Sequence, residues 1–276
     1  MHVSVHYSDY RRAKALSPSM DQARVAFITG GASGIGAACV RYFLAQGWEV
    51  AINYFSDSRL SDAQELVEQA EALGRAAIAV QGDVSRDDDC RRMIHTAADR
   101  FGRLDALICS AGTTRVVPQR NLDALTAEDF LNTTAVNTLG PFQMARACAP
   151  LLADGEGGAI VIVSSYGGLN GAGSSMAYAA SKGAVNTLTL SLARVLAPKI
   201  RVNAVCPALV DDGLVKRLNP DLFQARVKRQ ILGAPLRKIA QPAQVAADVY
   251  WLAAGTALMT GNVIALDCGL HLNADA

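Results

Sequence analysis

The sequence predicts a single-domain α/β protein: a doubly wound parallel sheet with helices on both faces. Two observations predict it. Short apolar runs alternate with helical stretches along the chain, with neither an internal repeat nor a linker between them. The first apolar run breaks into a glycine turn and passes at once into a helix pattern. Parallel neighbours require long right-handed crossovers, so this alternation places helices over both faces of the sheet. The 276 residues suffice for one large domain with a substantial core.

Residues 1–22 are polar and irregular, with Arg11, Arg12 and Lys14 but no apolar segment behind them. They read as a loose extension, or as residues ahead of a start at Met20, and neither as a secretory signal nor as an anchor. The domain is expected over residues 23–276.

Order begins with the strand Ala23–Ile28, followed by Thr29-Gly30-Gly31-Ala32-Ser33-Gly34-Ile35-Gly36 and a helix pattern through Leu44. Glycines at 30, 34 and 36 permit a tight turn, close approach of a pyrophosphate and close packing of helix on sheet. The helix start then offers free N–H groups and a positive dipole to phosphate. The next strand, Glu49–Phe55, would end at an adenosine ribose in a dinucleotide fold. An acid there suits the 2′-hydroxyl of NAD, and its absence makes room for the phosphate of NADP. Tyr54, Phe55 and Ser56 occupy that place, with Arg59 beyond, so NADP(H) is the preferred cofactor and NAD(H) the alternative. Arg59 reads equally well as a solvated cation at a helix start.

A helix over Asp62–Ala72 leads to the strand Ala76–Val80, and Asp83-Val84 is placed to reach an adenine edge. A helix over Arg91–Phe101 precedes the strand Leu104–Cys109, which ends in the small residues Ser110-Ala111-Gly112 that a cofactor lying across the sheet requires. Phe130 to about Leu152 reads as one long helix with Asn137 inside it; from that residue alone a solvated side chain is the simpler reading. The strand Ala159–Val163 closes on Ser164-Ser165, and the strand Arg201–Cys206 is broken by Pro207. From Asp211 to about Leu236 the chain turns polar and helical, as a lid over a pocket would. A helix over Ala243–Ala254 and the strand Asn262–Asp267 finish the order.

Composition narrows the partners. Hydrophobic residues make up 51% and charged ones 18%, and the formal net charge of +1 lacks the basic excess that nucleic acid or an anionic membrane demands. No apolar run reaches the ~18 residues of a membrane span. The six cysteines show no C-x-x-C and no histidine at ligand spacing, so neither a metal nor a disulfide framework is expected, and a reduced, cytoplasmic setting follows.

The chemistry concentrates between Ser165 and Lys182. Tyr178 and Lys182 lie four apart, which stacks them on one face of a helix. An unperturbed tyrosine, with a pKa near ~10, is a poor acid or base at neutral pH. A neighbouring ammonium would favour the phenolate and bring it into range. Ser165 would present a second hydroxyl to the same point.

Together these features resemble the short-chain dehydrogenase/reductase family, in its compact, single-domain, Rossmann-like form, from about Arg24 to Leu270. The turn Thr29–Gly36 resembles the family's cofactor turn, Asp83-Val84 its adenine contact, and Asn137 in Val136-Asn137-Thr138-Leu139-Gly140 its helix asparagine. Ser165, Tyr178 and Lys182 match the catalytic serine, tyrosine and lysine, with the usual thirteen residues from serine to tyrosine. The resemblance implies a ketone or aldehyde interconverted with an alcohol by hydride transfer. Tyr178 would serve as proton donor, Ser165 would hold the carbonyl oxygen, Lys182 would hold the nicotinamide ribose, and Asn137 would hold a relay water. It further implies cofactor contacts at Pro207, Ala208, Val210 and Asp212, and a homotetramer closed around the apolar segment Val263–Leu272. Three departures stand out: Ser110 replaces the usual Asn of Asn-Ala-Gly, Ala208 replaces Gly after the proline, and Asp212 replaces a threonine.

The overall pattern is most similar to 3-oxoacyl-thioester reductases and sugar or polyol dehydrogenases. A second reading is a catalytically idle dinucleotide-binding regulator, which would need none of Ser165, Tyr178 or Lys182. A thiol enzyme using Cys206 finds no adjacent base. Arg217, Arg226, Lys228 and Arg229 on the lid would meet an acidic carrier or a phosphorylated substrate, or else form a solvated helix face.

Overall fold

The structure is a computed structural model and describes residues 23–272 apart from 213; the expected extension over 1–22 lies outside the described residues. Seven strands form one parallel sheet: β1 Val25–Thr29, β2 Glu49–Tyr54, β3 Ala77–Gln81, β4 Ala106–Cys109, β5 Gly158–Val163, β6 Ile200–Pro207 and β7 Val263–Leu266. Their spatial order is β3-β2-β1-β4-β5-β6-β7, every pair parallel. The order reverses between β1 and β4, which opens a crevice at their carboxyl ends. The doubly wound α/β fold is thus the one expected.

The inner strands are apolar on both faces because helices cover both. All five residues of β1 are buried, and they divide between two cores: Ala26 and Ile28 face one, Val25 and Phe27 the other. On the first face lie α1 Gly34–Ala45, α2 Leu60–Ala72 and α10 Pro242–Tyr250. Phe43, on α1, anchors an aromatic cluster there, with ring centroids 5.1 Å from both Trp48 and Tyr250 in edge-on geometry. On the second face lie α3 Asp87–Phe101, α5 Gly140–Leu152 and α7 Met176–Leu196, the last preceded by the single turn α6 Gly167–Asn170.

Several helix boundaries differ from expectation; α2 starts two residues early, at Leu60. Helix α3 starts at Asp87 and not Arg91, because Asp87, Asp88 and Asp89 favour its positive N-terminus. Asp89 also accepts a hydrogen bond from the Asp83 N–H at 3.0 Å. The expected helix over 130–152 begins earlier, as α4 Ala127–Thr134, where Thr126 and Asp129 form a capping box. It then passes through a π-turn, Ala135–Leu139, before continuing as α5. A second π-turn, Trp251–Gly255, ends the expected helix over 243–254. Pro207 ends β6 as its last residue, at the place expected.

Phe43 is fully buried at the contact between α1 and α10. Phe43→Ala is expected to cost about 3–5 kcal/mol of stability, read as a lowered denaturant midpoint at unchanged slope.

Candidate active site

The crevice is a cleft of about 1190 Å³ running along the carboxyl edge of the sheet. Its floor is set by the end of β1. Thr29 is buried beneath it and does not line it. The Thr29 hydroxyl accepts the N–H groups of Ser110 and Ala111, at 3.0 and 3.1 Å, clasping the end of β4 to β1. Ser110, Ala111 and Gly112 therefore face the cleft as a smooth backbone surface.

The turn after Thr29 can be built only from small residues. Gly30 has φ +62°, and a Cβ there would stand 2.9 Å from Ala111 Cα. At Gly36 a Cβ would collide with the Gly30 carbonyl, so the residue packs α1 against the turn without lining the cleft. Ser33 caps α1 without a side-chain hydrogen bond, and no acid sits in the first turn. Its leading N–H groups thus remain available to a phosphate. Gly34 and Ile35 line the cleft beside it. These features fit the pyrophosphate of a dinucleotide.

Sequence reasoning passed over Asn53, on β2, which holds this turn in place. Its Oδ1 accepts from Gly30 N–H at 3.1 Å, while its Nδ2 donates to the Gly82 carbonyl at 3.0 Å. A buried Asn in an apolar strand was the available signal, since its amide must find partners. Tyr54, Phe55, Ser56 and Arg59 all line the cleft past the end of β2. Ser56 shares a 2.7 Å hydrogen bond with Ser58, and Arg59 pairs with Asp62 at 2.8 Å. Asp57, the nearest acid along the chain, accepts from Gln81 instead and does not line the cleft. Asp83 and Val84 do line it, and one Asp83 oxygen is committed to the N–H and hydroxyl of Ser85.

Midway along, Ser165, Tyr178 and Lys182 come together. Ser175 caps α7 by accepting the Tyr178 N–H at 3.2 Å, which fixes the first turn that carries the phenol. The Ser165 hydroxyl accepts from Gly167 N–H at 3.1 Å, which leaves its own proton to give to the phenol it contacts. Lys182 is buried one turn along, donating to the Val163 carbonyl at 2.8 Å, with Nζ 5.9 Å from the Tyr178 ring centre.

The expected acidification of Tyr178 by Lys182 is not found. Burial is the largest influence on the phenol and raises its pKa, and the hydrogen bond from Ser165 opposes it only in part. Burial also pulls Lys182 down to about 8. Both shifts share one cause: a low-dielectric site disfavours each charged form.

Asn137 is buried, correcting the reading as a solvated residue. It stands behind the cleft wall in the first π-turn, with Nδ2 donating to Thr113 O and Ser181 Oγ at 3.0 Å each and Oδ1 accepting Thr113 N–H at 2.8 Å. Both amide hydrogens are thus engaged by protein. Ser181 in turn donates to the Tyr178 carbonyl at 2.8 Å, so Asn137 braces the helix that carries Tyr178 and Lys182.

Pro207, Ala208, Val210 and Asp212 line the far wall. Asp212 pairs with Arg217 at 3.2 Å, and its carbonyl lies 3.3 Å from where a Cβ on Gly34 would sit, so it stands at the turn's lip. The lid consists of α8 Leu214–Leu218 and α9 Pro220–Gly233. Five of the six cysteines are buried. Burial raises the Cys206 thiol, which disfavours a thiolate nucleophile. Among the described residues no helix is long and apolar enough to cross a membrane.

A glycine cradle for pyrophosphate beside a Ser/Tyr/Lys cluster defines a nicotinamide-dinucleotide-dependent oxidoreductase. The comparisons agree. The family model described as enoyl-(acyl carrier protein) reductase matches residues 30–271. A crystal structure described as a short-chain dehydrogenase/reductase from Burkholderia xenovorans superposes with TM-score 0.85 at 44% identity, covering 92% of this chain and 100% of that one. Ketoacyl reductase 2 of the granaticin polyketide synthase of Streptomyces violaceoruber is 36% identical over 91% of this chain and 97% of its own. The 3-oxoacyl-[acyl-carrier-protein] reductase of Synechocystis is 32% identical over 90% and 97%. The chain belongs to the short-chain dehydrogenase/reductase family and is an NAD(P)-dependent oxidoreductase.

Thr29→Val keeps the shape of the residue but leaves the Ser110 and Ala111 N–H groups without their acceptor. The expected cost is about 1–3 kcal/mol for each N–H so orphaned, seen in thermal unfolding, together with weaker dinucleotide binding by fluorescence titration.

Proposed function

We propose that the protein is an NADP(H)-dependent reductase of a ketone or aldehyde, akin to 3-oxoacyl-thioester or small-ketone reductases, with Tyr178 as its general acid. One observation carries this reading: Ser165, Tyr178 and Lys182 line the same stretch of the cleft, with Lys182 Nζ 5.9 Å from the centre of the Tyr178 ring. A bound dinucleotide would supply hydride to the carbonyl carbon. Tyr178 donates its proton to the carbonyl oxygen, and its raised pKa keeps that proton in place at neutral pH. Ser165 gives a hydrogen bond to the same oxygen as negative charge develops. Lys182 uses one donor on Val163, and its others would be left to hold the ribose hydroxyls of a bound dinucleotide. Asn137, committed to Thr113 and Ser181, acts by holding α7 in position.

Two features support NADP(H). The end of β2 places no carboxylate in the cleft, and Ser56 and Arg59 stand there to receive a phosphate. The reading extends to a cytoplasmic homotetramer. The edge strand β7 is only half-buried, and Leu272, shortly after it, is exposed, as at a subunit boundary. An idle regulator is disfavoured because dinucleotide binding alone requires neither the serine nor the phenol.

The test is a panel of ketones and aldehydes with NADPH and with NADH, run on wild type and Tyr178→Phe. Wild type is expected to prefer NADPH. Tyr178→Phe is expected to lose about 10²–10⁴-fold in kcat while still binding NADPH; carbonyl-dependent NADPH oxidation that survived the change would overturn the mechanism. Direction matters for pH. A phenol with a raised pKa is the acid form at neutral pH, so reduction should be insensitive to pH there. Alcohol oxidation needs the phenolate and should climb about tenfold per unit toward the alkaline side, measured as initial rates across a buffer series.

A further inference from the structure

Beyond the dinucleotide and the reacting carbonyl, the cleft holds a cation that the reading above does not use. Arg226, on α9, is half-buried in the cleft wall, and among the described residues no carboxylate lies within ion-pair distance of it. Its Nη2 donates to the Gly173 carbonyl at 2.7 Å. Gly173 packs on the phenol, for a Cβ there would stand 3.2 Å from Tyr178 Cδ1. Arg226 is therefore one backbone residue away from the proton donor. A guanidinium has five N–H donors, and a single backbone carbonyl leaves most of them to a ligand.

The other lid cations are arranged differently. Lys216 pairs with Asp211 at 2.8 Å and Arg217 with Asp212 at 3.2 Å. Arg229, one turn from Arg226 on the same face, also lines the cleft and adds a second positive charge. The acids that line the cleft, Asp83 and Asp212, are engaged elsewhere, by Ser85 and Arg217. Burial and the Arg229 charge both lower the Arg226 pKa, as expected of a cation lacking a counter-ion. Such a group is costly unless something pairs with it.

We propose that Arg226 sets substrate specificity by pairing with an anionic group, a carboxylate or a phosphate, that the substrate carries close to its reacting carbonyl. The proposal rests on the carbonyl-reductase reading and narrows its substrate class to short oxo acids or phosphorylated ketones.

Two matched pairs test it with NADPH: acetoacetate against ethyl acetoacetate, and dihydroxyacetone phosphate against dihydroxyacetone. The anionic member of one pair is expected to show at least about tenfold higher kcat/KM, and which pair does so separates carboxylate from phosphate. Arg226→Ala is expected to lose about 10–100-fold more on the anionic member than on its neutral partner, through KM. Arg226→Lys should restore part of the preference, and it serves as the variant if thermal unfolding shows that the alanine form does not fold. Equal use of both members by wild type would overturn the proposal. So would an equal loss on both in the variant, which would mean that Arg226 only holds Gly173. Those outcomes leave the parent reading standing, as does wild type inert toward these four compounds but active on others of the ketone panel, which overturns this proposal alone; wild type inert toward the whole panel sinks both.

Discussion

Parallel strands oblige the chain to return to the same edge of the sheet after every crossover, and the site is a consequence of that constraint. The turns after β1, β4, β5 and β6 must all emerge together, and they carry Gly30, Ser110, Ser165 and Ala208 to one cleft. The sheet order reverses between β1 and β4, so two of those turns diverge and leave room between them. What keeps the room usable is how closely the backbones approach there. Gly30 touches Ala111 where no side chain would fit, and Thr29 and Asn53 supply the hydrogen bonds that hold the contact. The apolar cores on the two faces hold the sheet rigid, and the polar clasps at its edge convert that rigidity into position.

The same burial that positions the phenol and the ammonium also works on their charges. Burial disfavours each charged form: the half-buried phenol holds its proton more tightly, while the buried ammonium holds its proton less tightly. A donor hydroxyl that remains protonated at neutral pH suits reduction more than oxidation. Ser165 pulls in the other direction, since a hydrogen bond to the phenolate stabilises it. The chain thus sets the acid chiefly by a balance between dehydration and the Ser165 hydroxyl, with smaller opposed contributions from Cys206 and the Arg226 charge, while Lys182 is braced at 2.8 Å from the Val163 carbonyl.

What was legible in the sequence follows from distance along the chain. Tyr178 and Lys182 could be paired because a helix fixes four-residue spacing, and the glycine turn could be read because its strand and helix adjoin it. The sheet was legible because apolar runs buried on both faces are short and unbroken. Asn137 taken alone reads as solvated, and only the resemblance put it at the site, because its partners, Thr113 and Ser181, are 24 and 44 residues away. The π-turn around it left no mark, since one extra residue in a helical turn changes neither composition nor periodicity enough to see. The direction of the Tyr178 shift escaped for a related reason: spacing reveals the neighbouring charge, whereas the degree of burial depends on every element packed around it.

Helix α9 shows how little apolar surface holds the substrate side of the cleft. Only Phe223 and Gln230 are buried on α9, and its attachments are polar: Arg226 to the Gly173 carbonyl, and Gln230 to Leu209 N–H and the Lys238 carbonyl. A segment with few buried apolar contacts opens at a lower free-energy cost than the sheet beneath it. Substrate entry can therefore proceed by local movement of α9 without disturbing the clasps around Thr29. That placement also gives Arg226 a second consequence. A group that ties the lid to the backbone beside the phenol, and that has donors left for an anion, would hold the lid closed most firmly when a substrate bridges the two. Closing would then depend on the ligand, because the bond to Gly173 is a single one while an anion accepts several.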